Sequence, residues 1–141
     1  MWTDKYIGLP YKEHGRDTDG LDCFGLARMV YKNELDVDLP DFNIGFNKTK
    51  NKDLYKHIVT DLDDFISNES KKWIDIKELD DKPKDFDFVL IRMMGYVIHI
   101  GIFIAPNKIL HCYDGIDSVL ENIEPRWTSK IEKIVRWKKH S

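Results

Sequence analysis

The chain has 141 residues, with 22 basic and 25 acidic side chains, a net charge of −3 and 42% hydrophobic residues. A single domain of that size buries a core without disulfide or metal staples. Its apolar content excludes a disordered chain, and its charge balance excludes a sequence-independent nucleic-acid binder.

Residues 2 to 8 read as a short helix stopped by Gly8 and Leu9-Pro10. Tyr11 to Gly20 is polar, with an Asp-Thr-Asp-Gly turn signal, and reads as a loop. Phe24, Leu26, Ala27, Val30 and Tyr31 recur at spacings of three and four, which predicts a buried helix from Asp22 to Glu34 with Asp22 as its N-cap. Leu54, Tyr55, Ile58, Val59, Leu62, Phe65 and Ile66 predict a second, amphipathic helix over Asp53–Ser67. The acidic stretch 77–87, holding Pro83, is a connection. Beyond it, Phe86–Arg92, Tyr96–Ile104, Lys108–Cys112, Ser118–Ile123 and Ile131–Trp137 read as strands separated by Gly95, Pro106-Asn107 and Asp114-Gly115. Helices first and antiparallel strands second is the α+β order, and residues 1–141 are expected to form one domain. No apolar run approaches the roughly 20 residues of a spanning helix, so no membrane insertion is expected. The N-terminus shows no Sec-type signal, which predicts a product of the cytoplasm.

Cys23 follows a glycine-containing turn and starts the first buried helix. There, free backbone N–H groups and the helix dipole favour a thiolate and hold an oxyanion. A nucleophilic cysteine needs a base and a group that orients the base. His99 interrupts the apolar strand Tyr-Val-Ile-His-Ile-Gly-Ile-Phe-Ile, and His111 ends the next strand, so adjacent strands can pair the two as base and orienting residue. A lone cysteine at a helix start is also a common small buried hydrophobe, and a strand histidine a common core residue. Count alone does not choose between the two readings.

Gly8-Leu9-Pro10-Tyr11, Asp22-Cys23-Phe24-Gly25-Leu26, His99-Ile100-Gly101-Ile102-Phe103-Ile104 and Ile109-Leu110-His111, in that order, resemble the NlpC/P60 cell-wall cysteine peptidases. The resemblance implies a papain-like fold, with N-terminal helices packed on a C-terminal antiparallel sheet. It implies hydrolysis of peptidoglycan stem peptides, typically beside a D-γ-glutamyl residue, with no cofactor or metal. Carried over by position, Cys23 is the nucleophile, His99 the base and His111 the third polar residue. Tyr11 lines the substrate cleft, and Asp22 and Phe24 flank the nucleophile as substrate-binding positions.

A narrower resemblance runs through Asp22-Cys23-Phe24-Gly25-Leu26-Ala27-Arg28-Met29-Val30-Tyr31 and Leu39-Pro40-Asp41. These are similar to bacteriophage tail-assembly and tail-tip members, which often carry an aromatic residue after the cysteine where secreted enzymes usually have serine. That branch implies a virion-tail location and other tail proteins as partners. Its alternative is a structural tail-tip or hub subunit with the same fold and little activity; an acyltransferase or amidase on this core is a third option.

A zinc site built from Cys23, His99, His111 and Cys112 lacks any CxxC or HxxxH pair, and His111 and Cys112 should face opposite sides of a strand. Cys112 is expected in the core. Asp17–Asp22 lacks the twelve-residue layout of a calcium loop. His14 and His57 are expected in solvent. The C-terminal basic stretch, with Trp127 and Trp137 interleaved, is either a contact for anionic glycan or a tail partner, or a lysine-protected edge strand.

Overall fold

A computed structural model describes residues 1–41, 45–48, 57–60, 62, 66, 71–113 and 115–140. A 3-10 helix at Trp2–Tyr6 is followed by β1 (Arg16–Asp17), β2 (Gly20–Leu21), α1 (Cys23–Leu35), β3 (Gly45–Lys48), β4 (His57–Thr60) and β5 (Trp73–Asp75). A 3-10 helix at Ile76–Leu79 leads to β6 (Phe88–Met93), β7 (Tyr96–Ile104), β8 (Lys108–Tyr113), β9 (Ile116–Asn122) and, past a 3-10 turn at Thr128–Lys130, β10 (Ile131–Trp137). One sheet runs in the order β5-β10-β6-β7-β8-β9, every pair antiparallel, while β1 pairs with β2 and β3 with β4.

Helix α1 forms where its spacing predicts. The Asp22 carboxylate accepts a 2.7 Å hydrogen bond from the Gly25 N–H, and Asp36 in the left-handed region ends the helix. Its Phe24, Leu26, Ala27, Val30 and Tyr31 pack against Phe88, Leu90, Ile100, Ile102, Ile104 and Leu110 of the sheet. Val89, Ile91, Phe103, Ile109, Ile123 and Trp127 build a smaller core on the other face. Covering on both faces is why β7 reads as a nearly continuous apolar run rather than a clean alternation.

Three expectations need correction. The second helix, Asp53–Ser67, does not include His57–Thr60, which pairs with Gly45–Lys48 as a strand. Ile58, Val59 and Thr60 are consecutive β-branched residues, which favour extended backbone over the helix that their apolar spacing suggested. Leu62 and Ile66 of that segment are helical and buried, and its other residues lie outside the described ones. Trp73–Asp75, too short to signal itself, adds to the outer side of β10, so β10 lies inside the sheet and is not its edge. Trp127 is 1% exposed, so it is not the outward aromatic that the C-terminal composition suggested.

The core also buries an ion pair. Arg136, 2% exposed, meets Asp87 through Nε–Oδ1 and Nη2–Oδ2, both 2.9 Å, and reaches Asp81 and the Lys82 carbonyl with its remaining N–H groups. This bidentate fork ties β10 to the start of β6 and answers the desolvation of both charges.

Candidate active site

The segment before the nucleophile is fastened to the sheet edge. Gly8 N–H donates to the Ser118 carbonyl, Ser118 N–H to the Leu9 carbonyl, Leu9 N–H to Ser118 Oγ, and the Ser118 hydroxyl to the Tyr6 carbonyl, all at 2.5–3.0 Å. Tyr11 N–H then donates to Asp117 Oδ1 at 3.1 Å, and Tyr11 bridges to Leu21. Tyr11 is half-buried and set between β9 and β2.

The loop closes on α1 through two glycines. A Cβ on Gly25 would stand 2.1 Å from the Gly15 carbonyl oxygen, so the Asp-Cys-Phe-Gly run needs glycine at its fourth place. Arg16 locks the same corner: Nη1 binds Asp22 Oδ1 at 2.6 Å, Nε binds Asp41 at 2.8 Å, and the guanidinium lies over the Phe24 ring.

Cys23 begins α1 at a place where the sheet opens. Among the described residues β7 and β8 are paired from Ile102/Leu110 to Ile104/Lys108, and β8 bulges between His111 and Tyr113. Ile100 lies outside the β7–β8 pairs while still opposite Leu90 of β6, and its N–H is turned to the Cys23 thiol. A thiol from the helix side thus reaches the strand that carries His99. Cys112, on the α1 side of β8 and buried, points its thiol at the Leu21 carbonyl.

His99 and His111 share the opposite face. His99 Nε2 lies 2.7 Å from His111 Nδ1, and His111 Nε2 lies 2.5 Å from Glu121 Oε1. Trp127 Nε1 donates to the same Glu121 oxygen at 3.0 Å. The Trp127 and Tyr113 rings wall both imidazoles, with centroids 5.0–5.8 Å away, and the Arg126 guanidinium lies over both walls. Gly101 makes room here, since a Cβ would stand 2.3 Å from Ile109 and 3.3 Å from His111 Cβ. That packing accounts for the His-Ile-Gly order.

The electrostatics run against the expectation of a thiolate. Burial pushes the Cys23 thiol up to about 12, and the neighbouring Asp22 charge adds to it. The N–H groups of Ile100 and Phe24 and the Arg16 charge pull the other way and are outweighed. Burial holds His99 well below its ordinary value, with His111 adding to the effect. Burial also lowers His111, opposed by Glu121. These shifts favour the neutral thiol at Cys23 and the neutral imidazole at both histidines.

His99, His111 and Glu121 are brought together on one face of the sheet, and Cys23 is set at the α1 start beside the N–H of Ile100, the residue that follows His99 on β7. Two expected substrate positions are not available to a ligand. Phe24 is 0% exposed in the core under α1, because the second residue of the helix points at the sheet. Asp22 is buried, its Oδ1 taken by Gly25 and Arg16. His14 is exposed, as expected, and the His57 side chain lies outside the described residues. Glu121 was missed in sequence. Its only local signal is an acidic residue at a strand end, and its meaning comes from its position beside His111. Among the described residues no three His, Cys, Asp or Glu side chains are grouped to hold a metal ion, and no helix is long and apolar enough to cross a membrane.

A cysteine at a helix start, set against an antiparallel sheet that bears paired histidines, defines the papain-like α+β class. The NlpC/P60 family model matches residues 8–136, and the chain belongs to that family. Its fold is similar to the NlpC/p60 domain of peptidoglycan hydrolase SagA, at 21% identity and TM-score 0.60, covering 94% of this chain and 90% of that one. It is also similar to an NLP/P60 family protein described as similar to lipoprotein from Staphylococcus aureus (20%, TM-score 0.59) and to an NlpC/P60 family protein from Bacillus cereus (15%, TM-score 0.56). Each covers 94% of this chain, which spans only 38% and 36% of theirs. No curated protein matches the sequence.

Proposed function

We propose that the chain is a cysteine endopeptidase that cleaves peptidoglycan stem peptides, beside a D-γ-glutamyl residue, as a component of a bacteriophage tail. The observation that carries the peptidase reading is the set of Cys23 at the α1 start against the Ile100 N–H, with His99 joined to His111 at 2.7 Å. Family membership and the fold likeness to a peptidoglycan hydrolase domain support the substrate class. The tail setting rests on the Asp22–Tyr31 and Leu39-Pro40-Asp41 motifs.

Because the resting thiol and imidazole are neutral, attack and proton transfer are coupled. Cys23 Sγ bonds to the scissile carbonyl carbon as its proton passes to His99, and the carbonyl oxygen becomes an oxyanion facing the α1 N-terminus. The C–N bond then breaks, and the leaving amine takes the proton from His99. Water attacks the thioester, gives its proton to His99, and releases the carboxyl product; the proton returns to Cys23. Tyr11 borders the substrate.

A structural tail-tip subunit is the second reading, favoured by one observation: His99 is only 2% exposed. Digestion of purified peptidoglycan by the wild type and by Cys23→Ala, with products read by mass spectrometry, separates the two. Stem-peptide fragments from the wild type alone are expected. No fragments from either protein would shift the assignment to the structural subunit.

A further inference from the structure

We propose that Glu121 is a positioning residue that sets the tautomers of both histidines, so that Nδ1 of His99 is left unprotonated as the acceptor for the Cys23 proton. The chemical meaning of this arrangement rests on the peptidase reading above; its test does not.

The argument starts at one oxygen. An indole N–H can only donate, and an ionised carboxylate can only accept. Glu121 Oε1 receives the Trp127 N–H at 3.0 Å and stands 2.5 Å from His111 Nε2, so His111 carries its proton on Nε2. Burial holds both imidazoles below their ordinary range, so each carries one proton. With the His111 proton on Nε2, its Nδ1 offers a lone pair to His99 Nε2 at 2.7 Å. The His99 proton is therefore on Nε2, and its Nδ1 is bare.

The reverse chain of protons satisfies the His99–His111 contact equally well. It would put N–H on His111 Nδ1 and on His99 Nδ1, leaving His99 unable to accept from a thiol. Only the third member breaks the tie. The β8–β9 register creates that member: His111 stands opposite Val119, and Glu121, two residues on, projects from the same face. Trp127 fixes the carboxylate, and Arg126, stacked over Trp127 and Tyr113, opposes a positive charge on His111. Glu121 thus directs the proton without making His111 an imidazolium at rest.

The test is long-range proton–nitrogen NMR on histidine-labelled protein, alongside the rate at which iodoacetamide alkylates Cys23 at neutral pH, mapped by peptide mass. In the wild type both His99 and His111 are expected as Nε2–H tautomers. Glu121→Ala should convert His99 partly to Nδ1–H and slow alkylation by about 10²-fold, the low end of what a positioned base supplies. Glu121→Gln keeps an oxygen that accepts from both N–H groups and should retain the wild-type tautomers. A wild-type His111 protonated on Nδ1, or a folded Glu121→Ala with unchanged tautomers, overturns the proposal. The wild-type spectrum decides the assignment even where the alanine variant does not fold. Failure of the wild type to cleave peptidoglycan bears on the peptidase reading and not on the tautomers.

Discussion

Gly15 and Gly25 meet backbone to side: the Gly15 carbonyl oxygen occupies the place where a Cβ of residue 25 would project, 2.1 Å from it. The loop that carries Arg16 is thereby seated on the first turn of α1, directly over the nucleophile's N-cap. Gly25→Ala has to lift that loop or tilt the helix, and overpacking of this kind costs about 1–3 kcal/mol. Urea unfolding should show the loss, and Cys23 alkylation should change with it. An alanine variant with wild-type stability and reactivity would show that the contact is not needed.

Phe24 is the residue where motif and structure part. Its ring is buried between α1 and the sheet, so Phe24→Ala should destabilise by about 3–5 kcal/mol, as for other core aromatic truncations. Phe24→Leu should recover most of that stability. If Phe24→Ala left the unfolding midpoint in place and altered only the products from peptidoglycan, the residue would be at the substrate after all.

Arg136 and Asp87 form the second buried constraint, far from the histidines in sequence logic and structural in role. Asp87→Ala removes the bidentate, buried partner of the Arg136 guanidinium, leaving it Asp81 and the Lys82 carbonyl, and should cost about 3 kcal/mol. Replacing both partners with apolar residues of similar volume should cost much less, because no charge is then left uncompensated. Denaturant titration of the single and double variants measures the difference.

The raised Cys23 thiol has a kinetic signature. A preformed thiolate–imidazolium pair alkylates fast from acidic pH upward. Here the thiol sits at about 12, so alkylation should be slow at neutral pH and still be rising above pH 9.0, its ordinary value. A fast plateau across neutral pH would overturn the neutral resting state.

The same shifts bound stability on both sides of neutrality. His99 and His111 are lowered on folding, so below about 6.5 the unfolded chain binds protons that the native one refuses; stability is full above that value and falls as pH drops. Cys23 is raised, so between its ordinary 9.0 and about 12 the unfolded chain has lost a proton that the native one keeps, and stability falls as pH rises. Urea midpoints at about pH 5, 7 and 10 should peak at the middle value. A flat profile would contradict both shifts.

What the sequence determined by itself was local. Asp22 as N-cap, the three-and-four spacing of Phe24 to Tyr31, and the bounds of Tyr96–Ile104 and Ile131–Trp137 depend on residues within a few positions of one another. Cys23, His99 and His111 stood out as candidates because each sits in a distinctive short motif. Tertiary structure decided the rest. Ile58-Val59-Thr60 became a strand because a partner, Gly45–Lys48, was there to pair with. Cys23 became a high-pKa thiol because burial outweighed the helix N-terminus that should have lowered it. Glu121 gained its place beside His111 only through the β8–β9 register, which is a relation between strands that no local spacing records.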